Sequence, residues 1–418
     1  MGNVRQVERL RPALRLGATA AALAVITVLV LMVGTVKAAQ AQDLQVIYTF
    51  TGFRDGAQPY SGLTLRSGSL YGTTHSGNEG ANWGNVYQLK FHGGWIYSAL
   101  NLFDGTLESR PTFGPDGILY GTSPNNIAGL IYGYVYNLRP AVGAVCHSVT
   151  CSWNTTVLYA FGGGGDGASP RYGELVFDEA GHMYGTTAVG GNGNGVVYQM
   201  THTGNAWTEQ PIYTFSGPDG AAPASAVVFD TAGNMYGTTM LGGQNGFGTV
   251  YELSPNGGGW TERVLYSFQG TTDGTTPTAG LFLDAAGNLY GSTMNGGSGG
   301  AGTIFELSPN GSNWNYSLLY SFSGNVNCGP GGTLTMDASG SLYGTSFCAG
   351  ANNLGNIFKL APSGGGGWTY SSIHDFTGGN DGSKPFCNVT FDTAGNMFGT
   401  ASAGGSMHSG TVWEIPAQ

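Results

Sequence analysis

A tandem repeat runs through most of the chain, and it constrains the fold more than any local motif does. Its clearest marker is the tripeptide Tyr-Gly-Thr/Ser, which the last copy replaces with Phe-Gly-Thr. The seven copies begin at Tyr71, Tyr120, Tyr184, Tyr236, Tyr290, Tyr343 and Phe398. Successive copies lie 49, 64, 52, 54, 53 and 55 residues apart, and the longest interval carries an insertion around residues 139–151. The sequence therefore predicts seven similar structural units.

Each unit contains four short runs with strand character, here called a, b, c and d. In the unit around Tyr290, run a covers residues 279–284, run b 288–293, run c 302–307 and run d 314–322. A Gly-rich loop joins b to c, and a second loop at residues 308–313 joins c to d. Apolar and small residues alternate within b and c, as half-buried strands require. Four strands per unit at a period of ~50 residues are typical of a β-propeller blade.

The order of the runs predicts how such a propeller closes. The first run d, residues 46–50, precedes every run a, and the last run c, residues 410–415, has no run d after it. The N-terminal strand should therefore complete the last blade, giving an all-β, seven-bladed propeller of 28 strands. Closure removes the sheet edges that an open array would expose. An open solenoid would need atypical capping repeats at both ends, and the sequence shows none.

Two columns of the repeat predict packing contacts. The glycine after each marker Tyr has no Cβ, and we interpret it as a site where a neighbouring sheet approaches closely. A tryptophan opens run d in six units: Trp95, Trp153, Trp207, Trp260, Trp314 and Trp368. Packing of the outer strand onto its neighbour is the favoured role, with the ring partly exposed. A set of sugar-stacking platforms is the alternative, although a ligand site is usually singular.

The repeat also resembles a known family. Its motifs YGTT-x-x-GG-x-x-G-x-GTVY-x-L, W-x-x-x-VLYSF and DG-x-x-P are similar to the GloVer-type tandem repeat of exported bacterial proteins that carry varied surface anchors. The resemblance covers roughly residues 44–418. It implies repeat architecture and export, and it implies no activity, cofactor or catalytic residue.

Residues 1–41 have the features of a targeting segment. The uncharged, mostly apolar run at residues 17–36 is 20 residues long, and Ala39-Gln40-Ala41 suits cleavage before Gln42. The basic residues that precede this run are Arg5, Arg9, Arg11 and Arg15. An uncleaved signal anchor is the alternative, because the run is long enough to span a bilayer. In both cases residues 42–418 should be exported to the periplasm, the cell surface or the medium.

Composition excludes several classes of protein. Glycine makes up 75 of the 418 residues, yet aromatic residues reach 12%, which a disordered chain would lack. Charged residues are only 9%, so apolar packing and turns should hold the fold. Residues 42–418 carry 9 basic and 23 acidic residues, a net charge of −14 that opposes binding to nucleic acid or anionic membranes. No nucleotide-binding motif stands out, and we expect a monomer without a cofactor.

The five cysteines all lie in the predicted exported part. Cys146 and Cys151 could close a small loop within the insertion. Cys328 and Cys348 lie on the d–a and b–c loops of blade 6, which share one rim of a propeller, so they could also pair. Cys387 would then be left over or compete. No Cys-x-x-Cys occurs, so a thiolate zinc site is not expected.

An aspartate recurs in the DG-x-x-P segments between runs d and a, on the rim here called the top. The six copies are Asp55, Asp104, Asp166, Asp219, Asp273 and Asp381. The favoured role is structural, because Asp accepts hydrogen bonds from amides of its own turn and Gly takes a positive φ. The alternative is a ring of calcium or glycan ligands, but calcium needs about 6–8 oxygens at one point. A second column on the a–b turns fits hairpin turns: Asp178, Asp230, Asp284, Asp337 and Asp392.

Three residues are the candidates for chemistry. His75 and Glu79 lie in the b–c loop of blade 1, and His408 lies in the b–c loop of blade 7. Ring closure makes these blades neighbours, so the three could share a site for a metal or for acid–base catalysis. The competing interpretation is that long polar loops collect His and Glu by chance, and we assign no metal.

Two functions follow from this pattern. The first is a non-enzymatic exported propeller that presents its top rim to an extracellular glycan or protein, as the near-equivalence of the blades suggests. The second is a propeller-scaffold enzyme, a polysaccharide lyase or hydrolase, using His75, Glu79 and His408. Propellers host both roles, so only the site can decide between them.

Overall fold

The computed structural model describes residues 43–77, 83–124, 130–141, 153–204 and 206–417. These residues form 28 strands and no helix, arranged as seven four-stranded antiparallel sheets. The described part of the chain thus includes no apolar helix of membrane-spanning length. The predicted targeting segment, Glu79, Cys146 and Cys151 all lie outside the described residues.

The strands follow one another in the predicted order. They are β1 (Gln45–Thr49); β2 (Thr64–Arg66), β3 (Ser69–Thr74), β4 (Asn85–Phe91) and β5 (Trp95–Leu102); β6 (Thr112–Phe113), β7 (Leu119–Ser123), β8 (Tyr134–Pro140) and β9 (Trp153–Ala160); β10 (Val176–Phe177), β11 (Met183–Thr187), β12 (Val196–Thr203) and β13 (Ala206–Thr214); β14 (Val228–Phe229), β15 (Met235–Thr239), β16 (Thr249–Asn256) and β17 (Gly259–Ser267); β18 (Phe282–Leu283), β19 (Leu289–Thr293), β20 (Gly300–Asn310) and β21 (Asn313–Ser323); β22 (Thr335–Met336), β23 (Leu342–Ser346), β24 (Asn356–Ser363) and β25 (Gly367–Asp375); and β26 (Thr390–Phe391), β27 (Met397–Ala401) and β28 (Thr411–Ile415).

The seven sheets are the blades of a ring, and the predicted closure is confirmed. Blades 1 to 6 are built from consecutive strands, whereas blade 7 has the order β1-β28-β27-β26. The N-terminal strand is thus the outer strand of the last blade. Hydrogen bonds cross the closing seam: Thr390 Oγ1 donates to Leu63 O at 2.7 Å, and Thr400 Oγ1 donates to Ser61 O at 3.0 Å.

The hydrophobic core is divided among the seams between blades. Each of seven buried clusters combines residues of two adjacent blades. At the seam between blades 3 and 4, Val197 meets Phe215 and Tyr251. The closing seam has the same kind of core, with Phe50 and Val412 against Leu63 and others of blade 1. Apolar packing between sheets therefore holds the ring, as the low charge content predicts.

The marker glycine has a different neighbour from the one predicted. A Cβ on Gly185 would overlap the hydroxyl of Tyr198, which is its register partner in strand β12 of the same sheet. The prediction of a close neighbouring sheet is therefore wrong. The strand-c aromatic lies across the glycine, and this holds for Tyr87, Tyr136, Tyr198, Tyr251, Phe305, Phe358 and Trp413.

The marker threonine and the tryptophan both link adjacent blades. Thr186 Oγ1 donates to Ser225 O of the next blade at 3.0 Å, and five other copies of this hydroxyl make the same bond. Each of the six tryptophans places its ring centroid 5.7 to 6.4 Å from the marker Tyr or Phe of the preceding blade. The favoured packing role of the tryptophan column is therefore confirmed.

The DG-x-x-P turn also bridges blades. In blade 5 the residue before proline, Thr276, has φ 57°, donates its N–H to Phe247 O of blade 4 and accepts from Met294 N of its own blade, both at 3.1 Å. Pro277 then packs on Gly248, where a Cβ would lie 2.7 Å from the proline ring. Five of the seven blades share this arrangement, through Gln58, Ser169, Ala222, Thr276 and Lys384.

Two boundaries differ from the predictions. Strand a is only two residues long in most blades. In blade 5 it is Phe282–Leu283, because Ala279 and Gly280 line the centre of the ring and Ala279 O accepts a hydrogen bond from Thr238 of the neighbouring blade instead. The predicted c–d loop at residues 308–313 is also wrong. Strand pairing continues to Asn310 and resumes at Asn313, so Gly311, with φ 61°, and Ser312 make a two-residue hairpin turn.

Candidate functional site

The residues that precede strand a line a cavity on the axis of the ring. This cavity, of about 40 Å³, is lined by residues from six of the seven blades. Arg110 and Asn388 also line a wider cavity of about 610 Å³ toward the a–b turns, together with Met336, Val389 and Phe391. The central channel therefore has a narrow neck near the top rim and a wider lower part.

The blades differ most at this neck. The residue two positions before strand a is charged in blades 2 and 3, namely Arg110 and Glu174, and is an asparagine, Asn388, in blade 7. In blades 4 and 5 the same position holds Ala226 and Gly280. The polar side chains thus converge from one side of the ring, so the near-equivalence of the blades does not extend to the channel.

Ion pairs organise this polar group, here called the neck cluster: His75, Glu108, Arg110, Arg171 and Glu174. Arg110 Nη2 donates to Glu174 Oε2. His75 Nε2 lies 3.3 Å from Glu108 Oε1, and Arg171 Nε lies 4.0 Å from Glu108 Oε2. The Glu108 side chain is only 7% exposed, so its carboxylate depends on these neighbours for compensation.

Several polar atoms at the neck are buried without a hydrogen bond from any described residue. They are His75 Nδ1, Glu108 Oε2, Arg110 Nε, Thr278 Oγ1 and Asn388 Oδ1. The set includes acceptors, a donor and a hydroxyl that can do either. Buried polar atoms in native proteins are nearly always hydrogen-bonded, so a polar ligand group or water is expected at this place.

An aromatic collar covers the neck on its top side. Phe386 places its ring centroid 5.8 Å from Tyr172, 5.9 Å from Phe347 and 6.3 Å from Tyr60. Burial, with the Glu108 charge, raises the pKa of Tyr172 to about 12 and also raises that of Tyr60. Both hydroxyls therefore keep their protons and can donate hydrogen bonds toward the channel.

The three residues predicted for chemistry do not appear as one group. His75 belongs to the neck cluster, while Glu79 lies outside the described residues. His408 is exposed, with φ 56°, and its backbone N–H donates to Gly405 O. Across the described ranges, no hydrogen bond or ion pair joins its side chain to His75. The combined site remains a prediction.

The top-rim aspartates are built into their own turns. Asp273 accepts from Gln269 N and from the hydroxyl of Tyr266, both at 2.8 Å. Asp55, Asp166, Asp219 and Asp381 bond in the same manner, with His374 replacing the tyrosine at Asp381, and Asp104 is exposed. Among the described residues no three His, Cys, Asp or Glu side chains converge to hold a metal. These contacts account for the aspartates as turn residues.

The second aspartate column is likewise explained by turns. Asp230 accepts from Asn234 N at 2.9 Å, from Asn234 Nδ2 at 2.8 Å and from the hydroxyl of Tyr236 at 3.1 Å. Burial alone would raise the pKa of Asp230, but these hydrogen bonds outweigh burial and hold the pKa below its ordinary value. The role predicted for the a–b turns therefore fits.

A disulfide joins Cys328 to Cys348 in blade 6. It ties the d–a loop to the b–c loop in the blade whose DG-x-x-P aspartate is missing. Cys387 is a buried free thiol whose Sγ accepts from Thr400 N at 3.2 Å.

The repeats match a known family model. The model, described as the Gloeobacter/Verrucomicrobia repeat, matches residues 128–335 and 262–418. The chain belongs to this repeat family. No curated protein matches this chain by sequence.

Solved structures share the propeller fold of this family member at low sequence identity. The WD40 β-propeller domain of Doa1 is 9% identical with a TM-score of 0.51, covering 89% of this chain and 97% of that one. An ancestral GH74 enzyme is 11% identical with a TM-score of 0.50, and the match covers 87% of this chain and 51% of the enzyme chain. PorZ, a surface component of the type-IX secretion system of Porphyromonas gingivalis, is 14% identical with a TM-score of 0.49, covering 88% of this chain and 48% of that one. At these identities the likeness to the first two structures shows the fold alone.

Sequence reasoning missed four members of the neck cluster: Glu108, Arg110, Arg171 and Glu174. A signal was present. Only nine basic residues lie in residues 42–418. Three of them, Arg110, Arg171 and Lys384, occur between a DG-type turn and strand a, and the first two belong to the neck cluster. Alignment of the repeats by strand position would have singled them out.

Proposed function

We propose that this protein is an exported, non-enzymatic propeller that binds an extracellular glycan at the mouth of its central channel. The observation that carries the proposal is the neck cluster, in which buried donors and acceptors without partners lie beneath an aromatic collar. Charged residues are few in this chain, yet two arginines and two glutamates lie together in the neck cluster.

The chemistry of the neck favours saccharide hydroxyls. Each hydroxyl both donates and accepts, so it can satisfy Glu108 Oε2 and Asn388 Oδ1 as acceptors and Arg110 Nε as donor. The collar offers aromatic rings beside these groups, the pairing of apolar surface and few oriented polar groups that small-molecule sites use. The neck is narrow, so we expect it to take one protruding ring or substituent while the rest of the glycan lies on the top rim.

Export is part of the proposal. The resemblance of the repeat to exported proteins and the apolar run at residues 17–36 support it. The Cys328–Cys348 disulfide also fits an oxidising compartment.

An enzymatic function is the second candidate, and one contact favours it. His75 Nε2 lies 3.3 Å from the buried Glu108 carboxylate, an arrangement that could transfer a proton during polysaccharide cleavage. Binding and cleavage are separated by recovering the oligosaccharide after incubation and measuring its mass. Intact oligosaccharide supports the module, and shortened or unsaturated products support a hydrolase or a lyase.

A glycan array with the purified protein tests the proposal. We expect a restricted set of glycans to bind and Glu108→Gln to weaken binding about tenfold or more, because charge-assisted hydrogen bonds are lost from a buried site. Glu179→Gln is the matched control, since Glu179 is exposed on an a–b turn. Absence of glycan binding, or equal binding by wild type and Glu108→Gln, would contradict the proposed site.

A further inference from the structure

A second cavity lies at the seam where the ring closes. This seam cleft, of about 640 Å³, is formed by blade 7 and blade 1 on the side of the a–b turns. Three aromatic residues line it, Phe91, Trp95 and Phe398, together with the carboxylates of Asp392 and Glu414. Among the described residues that line it, none carries a basic side chain. The cleft therefore combines aromatic faces with uncompensated negative charge.

Two features of blade 1 shape the cleft. Its a–b turn has only two residues, Ser67 and Gly68, with φ 50° and 71°, and a Cβ on Gly68 would meet nothing within 4 Å. Phe91 occupies the strand-c position that Pro255 and Pro309 fill in blades 4 and 5, as their pairing opposite the tryptophan shows. The Phe91 side chain is 58% exposed.

The repeat itself shows what the two carboxylates lack. In blades 4 and 5 the hydroxyl of the marker Tyr lies 3.1 and 3.4 Å from the turn Asp, and 3.4 Å from the strand-c Glu. Blade 7 has Phe398 at this position and so lacks the hydroxyl. Of the described residues, Asn396 Nδ2 donates to Asp392 Oδ2 at 2.8 Å, the backbone N–H groups of Ala394 and Asn396 donate to Asp392 Oδ1, and Trp95 Nε1 donates to Glu414 Oε2 at 3.1 Å. Each carboxylate has thus lost the donor that its counterparts share.

Blade 6 already places a cation at the equivalent position. Lys359 pairs with Tyr343 in the same register that Glu414 pairs with Phe398. Its Nζ lies 3.9 Å from Asp337 Oδ2 and 5.2 Å from the centroid of the Tyr343 ring. An ammonium group between a turn aspartate and the marker aromatic is therefore an arrangement that this fold accommodates.

We propose that the seam cleft binds a primary alkylammonium group, as carried by a lysine side chain or a free amine. The ammonium contacts Asp392 and Glu414, and its alkyl chain packs against Trp95 and Phe398. Attraction of a cation to an aromatic face favours binding, and the two carboxylates add to it. The net charge of −14 for residues 42–418 favours the approach of such a ligand.

The test is a ligand-observed NMR titration of protein purified from cells that express the full chain. The probes are n-butylammonium and N-acetyl-Gly-Lys-Gly amide, with neutral n-butanol and Nα,Nε-diacetyl-lysine amide as controls. We expect both ammonium probes to bind and both neutral probes to bind about tenfold more weakly. A tighter Gly-Lys-Gly complex points to a protein partner, and equal affinities point to a free amine.

Three variants locate the binding. Phe398→Tyr restores the hydroxyl of the other blades and should weaken ammonium binding about tenfold, because Asp392 and Glu414 regain their donor. Glu414→Gln should do the same by removing charge while keeping an acceptor for Trp95. Glu306→Gln is the matched control, since it changes the same strand-c position in blade 5, and it should bind as wild type does.

Equal binding of ammonium and neutral probes would overturn the proposal, as would unchanged binding in folded Phe398→Tyr and Glu414→Gln. Circular dichroism and thermal melts establish that each variant is folded, and Phe398→Tyr matches the residue in six of the seven repeats. Failure here leaves the glycan site untouched, because Glu108 lies in the channel neck and lines a different cavity.

Discussion

Two half-buried glutamates on the outer strands should make the propeller less stable as the pH rises through neutrality. Glu209 in β13 and Glu262 in β17 occupy the position that Tyr97 and Tyr316 take in other blades, two residues after the tryptophan. Burial, and then the charge of Asp166, raises the pKa of Glu209 to about 7. Burial, and then the charge of Asp219, raises the pKa of Glu262 to about 7. One carboxylate oxygen of each is buried without a hydrogen bond within the described part of the chain.

The sign and size of the effect follow from linkage. Between the ordinary glutamate pKa of 4.5 and about 7, the folded protein binds more protons than the unfolded chain, so stability falls as the pH rises through this window. At about 1.4 kcal/mol per pKa unit, each glutamate would contribute at most roughly 3 kcal/mol. Because both side chains are partly exposed, solvent screening reduces this to about 1 kcal/mol each.

The assay is the urea denaturation midpoint measured between about pH 5 and about pH 8. In this range the turn aspartates with lowered pKa values, such as Asp230 and Asp337, stay ionised. We expect wild type to lose about 2 kcal/mol across the range and Glu209→Gln with Glu262→Gln to lose markedly less. Glu179→Gln is the exposed control and should keep the wild-type slope. Identical slopes for wild type and the double variant would refute the reasoning.

Three further substitutions test the links between blades and within blade 6, each measured as a change in the denaturation midpoint. Gly410→Ala should destabilise by about 2 to 4 kcal/mol, since φ is 101° and a Cβ would lie 2.5 Å from Pro59 Cδ, whereas Gly364→Ala, in open space, should be neutral. Thr238→Val should cost about 1 to 2 kcal/mol by removing the bonds to Ser225 Oγ and Ala279 O, while Thr238→Ser should not. Replacing Cys328 and Cys348 by Ser should cost about 3 kcal/mol, because the disulfide closes a loop with a sequence separation of 20, and dithiothreitol should destabilise wild type alone. Three results would contradict these contacts. They are an unchanged midpoint for Gly410→Ala, a loss for Thr238→Ser as large as that for Thr238→Val, and no effect of dithiothreitol on the wild type.

The architecture was predictable because the number and the order of the repeated strands determine it. The number of repeats predicts the number of blades. The first run d precedes every run a and the last run c has no run d after it, and this order predicts the closure through β1. The tryptophan and top-rim aspartate roles were also predictable, since six of the seven copies repeat each of them. Strand a was overestimated because hydrophobic character continues through residues 279–281, although Ala279 and Gly280 line the channel and Leu281 packs in the core between blades instead of extending the strand.

The candidate site was less accessible to sequence reasoning. Arg110 of blade 2 and Glu174 of blade 3 are brought together by the packing of adjacent blades, although 64 residues separate them in the sequence. Loop composition pointed to His75, which does reach Glu108, but it could not show that the acidic partner would come from blade 2. The residue that faces the marker glycine depended on strand register, which periodicity alone does not fix.

Hydrogen–deuterium exchange with and without a bound oligosaccharide tests most directly whether the channel neck is the ligand site. The account predicts slower exchange in the segments around residues 58–62, 106–110, 170–175 and 385–389, which carry the collar and the neck cluster. Exchange in the a–b turns should be unchanged. Slower exchange confined to the outer strands or to the a–b turns, with the neck unaffected, would contradict the proposed site.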